Sequence, residues 1–237
     1  MTIQPENAKF FVSILRTTND PQDPNAACSG VLTTPRTVAT AAHCLREGAT
    51  YTVYRGPIGS PENQQTKESA IVSRVDDLGR LFLSKAFSSG SAIALEHGSS
   101  PKPLLGKKAF LYGAGRIPGA ENGNGVRSTT INILTVRTEP YKPVKSKESI
   151  SENKFQVVND LNKERARGCS GDSGGPLVYI RKNPKTGSDE VALLGITIQV
   201  VIDDLEKEHG RCTSAPVMGI TVISWAGSHP QLYVYPG

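Results

Sequence analysis

Residues 168–177 read Gly168-Cys169-Ser170-Gly171-Asp172-Ser173-Gly174-Gly175-Pro176-Leu177. A hydroxyl acting as a nucleophile needs an exposed, tightly turned backbone with N–H groups nearby to hold an oxyanion. The glycines on either side of Ser173 supply that turn. The competing reading is a Gly/Ser-rich loop without chemistry, and so specific a run of residues leaves it little room.

A second stretch, Thr40-Ala41-Ala42-His43-Cys44, follows Cys28-Ser29-Gly30-Val31-Leu32. An unassisted hydroxyl is a poor nucleophile and needs an adjacent base, and histidine titrates in the useful range. A lone histidine is more often structural. His43 shares its chain with the Ser173 loop, which makes it the candidate base.

Between these motifs the chain beats regularly from strand-like runs to turn signals. Runs at 10–15, 37–41, 50–54, 70–75, 93–95, 110–112, 131–136, 177–180, 191–201 and 218–223 are rich in β-formers. Segments such as Asn19-Asp20-Pro21 and residues 119–125 separate them. That rhythm predicts an all-β sandwich or barrel. Helical signal is confined to a turn after Ala41 and a short charged piece at 203–209. Residues 101–108, rich in Pro, Gly and Lys, are the expected crossing between two halves.

The chain has 237 residues, enough for one large domain or two barrels. Its net charge of +5 is spread out, with no run of like charges interleaved with aromatics, so no nucleic-acid partner is expected. No apolar stretch is long enough for a membrane-spanning helix. The four cysteines, at 28, 44, 169 and 212, form no C-x-x-C pair, and only four histidines are present. No metal is therefore expected. Two disulfides in an exported protein fit better. The opening MTIQPENAKFF lacks the basic and apolar regions of a leader peptide. The expectation is a secreted or periplasmic protein whose leader is absent, with a cytosolic peptidase carrying reduced cysteines as the alternative.

Taken together, the two motifs resemble the trypsin/chymotrypsin family of serine peptidases. Phe10-Phe11-Val12-Ser13-Ile14-Leu15 looks like the first barrel strand, and Leu111-Tyr112-Gly113-Ala114-Gly115 like the opening of the second barrel. Leu194-Gly195-Ile196 looks like the strand lining the cleft, and residues 212–216 like the rim of the specificity pocket. The resemblance implies two six-stranded antiparallel β-barrels, residues 1–106 carrying His43 and 107–237 carrying Ser173, with the active site between them. It implies disulfides Cys28–Cys44 and Cys169–Cys212, each contributing about 3–4 kcal/mol. It implies a polypeptide substrate and an acyl-enzyme mechanism without a cofactor. Ser173 attacks, His43 moves the proton, and the N–H groups of Gly171 and Ser173 hold the oxyanion. Asp172 buries its carboxylate beneath the loop.

Two departures from the family pattern stand out. The triad carboxylate is expected just before an Ile-Ala-Leu run. The matching segment, Ser91-Ala92-Ile93-Ala94-Leu95, has Ala92 there. Three explanations stay open: an engineered inactivating substitution, a natural loss giving a silent or feeble homologue, or a different register in which Asp76, Asp77 or Glu96 reaches His43. Losing the carboxylate costs about 10⁴ in turnover, so a disabled form is expected on the first two. The chain also lacks the Ile-Val-Gly-Gly-like end whose amine pairs with the residue matching Asp172 in mature family members. A zymogen-like or immature form, or another partner for Asp172, is the corresponding expectation. The runner-up function is a non-catalytic homologue that binds a protein.

In the specificity pocket, which also takes in Gly168, the resemblance places Arg167 at the base and Val200 and Val217 on the walls. A guanidinium there repels basic side chains and can pair with acidic ones. Two valines make a shallow pocket suited to small aliphatic side chains. Lys and Arg are thus excluded as preferred substrate residues.

Overall fold

A computed structural model describes residues 8–22, 25–74, 76–96, 108–115, 127–132, 154–158, 171–202 and 219–225. Seven strands make the first sheet: β1 (Phe11–Thr17), β2 (Ala26–Thr34), β3 (Thr37–Ala41), β4 (Thr50–Arg55), β5 (Asn63–Thr66), β6 (Ser69–Ser73) and β7 (Leu78–Phe82). Their order is β5-β4-β1-β2-β3-β7-β6, with antiparallel neighbours.

The two edges of this sheet, β5 and β6, are separated in sequence only by Lys67 and Glu68. A sheet whose edges belong to one stretch of chain has to curl on itself. The bend is held by hydrogen bonds: Thr66 Oγ1 donates to the Phe82 carbonyl, and the Phe82 N–H donates to the Glu68 carbonyl. Counted as one bent strand, β5 and β6 bring the first barrel to the expected six. Curling also explains the run of apolar residues in β1, where Phe11, Val12 and Ile14 are almost wholly buried. Pro35 and Arg36 make the tight β2–β3 connection, where proline presets the backbone for a turn.

The second sheet contains β8 (Ala94–Leu95), β9 (Lys108–Gly113), β10 (Arg127–Asn132), β11 (Lys154–Val158), β12 (Pro176–Lys182), β13 (Asp189–Ile202) and β14 (Gly219–Trp225). Six of them run β10-β9-β12-β13-β14-β11, and β8 attaches separately to β13. That attachment is parallel, matching Ala94 with Ala192 and Leu95 with Leu193, so the expectation of purely antiparallel pairing needs correcting there. Apart from this pair the architecture is the expected all-β, trypsin-like one. The turn foreseen after Ala41 is a single 3-10 turn, Ala42–Cys44. The helix expected at 203–209, the strand residues expected at 133–136 and most of the crossing expected at 101–108 lie outside the described residues.

One hydrophobic core joins the sheets. Phe10, beside β1, meets Tyr112 of β9 edge to face with centroids 5.5 Å apart, and Leu193 and Ile196 of β13 extend the same cluster. Such a contact adds about 1 kcal/mol beyond the buried area. It fixes the faces from which the site residues project.

Candidate active site

His43 sits in the 3-10 turn between β3 and the loop leading to β4, with Asp77 immediately before β7. Because β7 pairs with β3 in the register Ala41↔Leu78, the residue before Leu78 arrives beside the residues after Ala41. Topology therefore delivers Asp77 to His43. Three hydrogen bonds result. The Ala42 N–H donates to the Asp77 carbonyl at 2.9 Å, and the His43 N–H donates to Asp77 Oδ1 at 2.9 Å. His43 Nδ1 and Asp77 Oδ2 are 2.6 Å apart. Asp77 adopts a left-handed backbone with φ of 53°, a conformation aspartate tolerates better than most residues. An ionised carboxylate only accepts, so Nδ1 carries the proton and Nε2 keeps its lone pair for a donor.

Of the alternatives left open for the carboxylate, Asp77 is the one hydrogen-bonded to His43. Ala92 is exposed, and Ile93 after it is tied by its N–H to the Leu32 carbonyl. The Ala94-Leu95 pair that follows is β8, which belongs to the second sheet rather than to a strand beside β3. The other two carboxylates weighed for the role are engaged elsewhere. Asp76 is buried and accepts from Ser73 Oγ at 2.7 Å. Glu96 accepts from the Tyr179 hydroxyl and from Arg181 Nη1, and Arg181 Nε also holds Glu190. With burial and the neighbouring Glu96 acting together, the Tyr179 hydroxyl is pushed up to about 12.

The sequence hid Asp77 because β7 does not look like a strand. Gly79 and Arg80 interrupt its apolar residues, yet both belong there. A Cβ on Gly79 would come within 2.5 Å of Leu45 Cδ1 and 3.3 Å of Ala42 Cα, so a side chain here would have to displace Leu45 for β7 to lie this close to the His43 turn. Arg80 is buried, which holds its guanidinium below the ordinary arginine range.

Ser173 comes from the other sheet, just before β12, and Ser29 of β2 seats it. The Ser29 N–H donates to the Ser173 carbonyl at 2.8 Å, and Ser29 Oγ donates to the Gly171 carbonyl at 2.9 Å while accepting from the Ala114 N–H at 3.1 Å. Next to Ser29, Cys28 is joined to Cys44 by a disulfide, and Cys44 Sγ lies 3.9 Å from the Ser173 carbonyl oxygen. Since Cys44 directly follows His43, one short covalent path links the seat of the nucleophile to the base. Gly171 has a φ of 97°, which a side chain would strain, and the Gly174 N–H donates to the Thr197 carbonyl of β13.

Asp172 is buried, and its Oδ1 accepts from the Gly115 N–H at 2.7 Å. A backbone donor is therefore in place at the carboxylate for which a partner was sought. Gly113 leaves room for it, since a Cβ there would overlap the carboxylate. Of the other expected site residues, Val200 lies on β13 opposite Thr221 of β14. Arg167, Gly168, Cys169, Cys212 and Val217 lie outside the described residues, so the Cys169–Cys212 pairing does too.

Beside His43, a cleft of about 280 Å³ is bounded by Ala42, Leu45, Arg46, Ile71, Arg74 and Asp77 as well as by His43 itself.

The Trypsin family profile matches residues 1–208. The chain belongs to the trypsin family. Among curated relatives of this trypsin-like chain is Trypsin eta of Drosophila erecta, 27% identical over 196 residues, covering 74% of this chain and 72% of that one. Among solved structures, a scabies mite inactivated protease paralogue, S-I1, superposes with a TM-score of 0.64 at 17% identity, covering 96% of this chain and 94% of that one. At that identity the likeness speaks for the trypsin fold. Among the described residues no helix is long and apolar enough to cross a membrane.

Proposed function

We propose that this trypsin-family chain is a catalytically competent serine endopeptidase with the triad Ser173, His43 and Asp77. The observation that carries the reading is the double engagement of His43 by Asp77, at the backbone N–H and at Nδ1. The expectation of a disabled form rested on Ala92, and Asp77 now supplies the carboxylate that Ala92 lacks.

In this mechanism His43 Nε2 takes the Ser173 proton as Oγ attacks the peptide carbonyl. Asp77 stabilises the imidazolium and keeps the proton on Nδ1. The N–H groups of Gly171 and Ser173 receive the oxyanion, while those of Gly174 and Gly175 already serve the Thr197 and Asp172 carbonyls. Collapse of the tetrahedral intermediate passes the proton from His43 to the leaving amine, and water then repeats the sequence on the acyl-enzyme. The primary pocket that the family resemblance assigns to Arg167, Val200 and Val217 would select small aliphatic or acidic side chains. Secretion or periplasmic export accompanies this reading, because the Cys28–Cys44 disulfide is at home in an oxidising compartment.

The test is covalent labelling by a fluorophosphonate probe together with hydrolysis of a peptide library. Labelling that Ser173→Ala abolishes, with cleavage after residues other than Lys and Arg, is the expected result. An unlabelled, folded protein that cleaves nothing would favour the non-catalytic binding homologue.

A further inference from the structure

The turn that carries His43 is bracketed by two ties to neighbouring residues of β2. After it, Cys44 is bonded covalently to Cys28. Before it, the Thr40 hydroxyl donates to the Ser29 carbonyl at 2.8 Å. Thr40 and Ser29 are both wholly buried. The second tie stands where the sheet stops helping, because the register of β2 with β3 reaches Val31↔Ala39 and goes no further toward Ser29. A side chain, rather than the ladder, joins the two strands at this point.

The nucleophile loop is built onto the same joint. Gly174 has a φ of 82°, and a side chain there would overlap both the Ser29 carbonyl oxygen and the Thr40 hydroxyl. The residue after Ser173 therefore lies directly on the Thr40–Ser29 hydrogen bond. Ser29 meanwhile holds the loop at Gly171 through its hydroxyl and at Ser173 through its N–H. Each proton in the joint has one direction, because a carbonyl only accepts and a backbone N–H only donates. The Ser29 hydroxyl gives to Gly171 and receives from Ala114, and the Thr40 hydroxyl gives to Ser29. Neither can rotate without leaving a buried backbone group unpaired.

We propose that Thr40 and Ser29 are positioning residues for the peptidase reaction, their two hydroxyls setting the spacing between base and nucleophile. The proposal rests on the peptidase reading above and deepens it, since both residues act through others. Thr40 acts through His43, three residues on. Ser29 acts through the loop whose Gly171 and Ser173 N–H groups are assigned to the oxyanion. Asp77 orients the His43 ring, but an oriented ring also has to stand within hydrogen-bond reach of the Ser173 hydroxyl. The disulfide alone lets the turn hinge about Cys44, and the Thr40 hydroxyl supplies the second point that prevents it.

The experiment compares Thr40→Val, which keeps the shape and removes the hydroxyl, with Thr40→Ser, which keeps the hydroxyl, and with Ser29→Ala. Thr33→Val is the control. Thr33 is buried in β2, and its hydroxyl donates to the Thr37 carbonyl at 3.5 Å, toward the other end of the same two strands. The readouts are kcat and KM on one peptide, fluorophosphonate labelling of the folded fraction, and amide hydrogen exchange. A misplacement of about 1 Å costs about a hundredfold, so a loosened joint predicts about a tenfold loss in kcat and labelling rate. Thr40→Val and Ser29→Ala should each show that loss with KM nearly unchanged, and Thr40→Ser should recover most of it. The double variant should lose less than the product of the single losses, because both break one joint. Thr33→Val should cost stability and leave kcat alone. Activity that merely follows the folded fraction, or a Thr40→Ser no better than Thr40→Val, would overturn the proposal and spare the peptidase reading. If the unaltered protein does not label, the peptidase reading falls and exchange judges the joint. Faster exchange at the His43 and Gly174 amides together in Thr40→Val upholds the joint, and a change at only one or neither overturns it.

Discussion

Asp77 holds His43 at two of its atoms, the backbone N–H and ring Nδ1, so one carboxylate fixes both where the turn sits and how the ring faces. Asparagine tolerates the same left-handed backbone, yet its amide can present a donor to Nδ1 and stabilise the wrong tautomer. Asp77→Asn should fold normally and lose about 10⁴ in kcat, as loss of a triad carboxylate does. Ala92→Asp, on an exposed segment, should change kcat little. Steady-state hydrolysis of one peptide by the three proteins checks both; an unchanged Asp77→Asn would remove Asp77 from the mechanism.

The Cys28–Cys44 bridge closes a short loop, with a sequence separation of 16. Cross-linking a loop of that length contributes about 3 kcal/mol. Replacing both cysteines by alanine should lower stability by that order in urea unfolding. Activity should fall further than the folded fraction does, because the bridge also ties the His43 turn to the strand that seats Ser173. A parallel loss of both quantities would assign the bridge to stability alone.

Gly113→Ala places a methyl where the Asp172 carboxylate lies. The carboxylate then has to leave the Gly115 N–H, and the Ser173 loop moves with it. The expected outcome is slow fluorophosphonate labelling combined with a loss of about 1–3 kcal/mol in stability, the range for crowding a packed site. Gly187→Ala is the contrast: its position, with a φ of 70°, has open space around it, so strain should cost stability and leave labelling unchanged.

Glu62 accepts from the Ser88 N–H at 2.6 Å and from the hydroxyls of Ser88 and Ser89 at 2.7 and 2.6 Å. The two serine hydroxyls, with the Ser88 N–H behind them, pull its carboxyl down to about 2. In the unfolded chain it takes up a proton near its ordinary value of 4.5. The stabilisation is therefore complete above that pH and disappears as pH falls toward 2. Glu62→Gln should lower the Tm at neutral pH and flatten the decline of Tm with acid. Thermal melts between pH 7 and pH 2 give the comparison; identical slopes would show the carboxylate contributes nothing.

Motifs made the fold legible, and a gap in the strand pattern concealed part of the site. His43 and Ser173 lie in runs whose composition follows from what they do locally, a tight turn and a glycine-lined loop. Asp77 owes its place to the pairing of β7 with β3, which is long-range, and β7 is disguised by Gly79 and the buried Arg80. Ile93-Ala94-Leu95, by contrast, has the apolar look of the expected strand, but its Ala94 and Leu95 pair with β13. Ser29 is equally silent, since nothing local distinguishes a serine whose N–H and hydroxyl make three hydrogen bonds across the two sheets. A carboxylate directly preceding a Leu-x-x-Leu strand was the available signal.

The seat that Ser29 provides also sets an order in time. A ribosome delivers residue 29 long before residue 173, and the nucleophile loop depends on a partner 144 positions upstream for its shape. Until the distal sheet docks, Ser173 has no shaped surroundings. On the proposed peptidase reading, the chain thus passes most of its synthesis without an assembled blade, and would gain the capacity to cut its neighbours only when it is itself nearly folded.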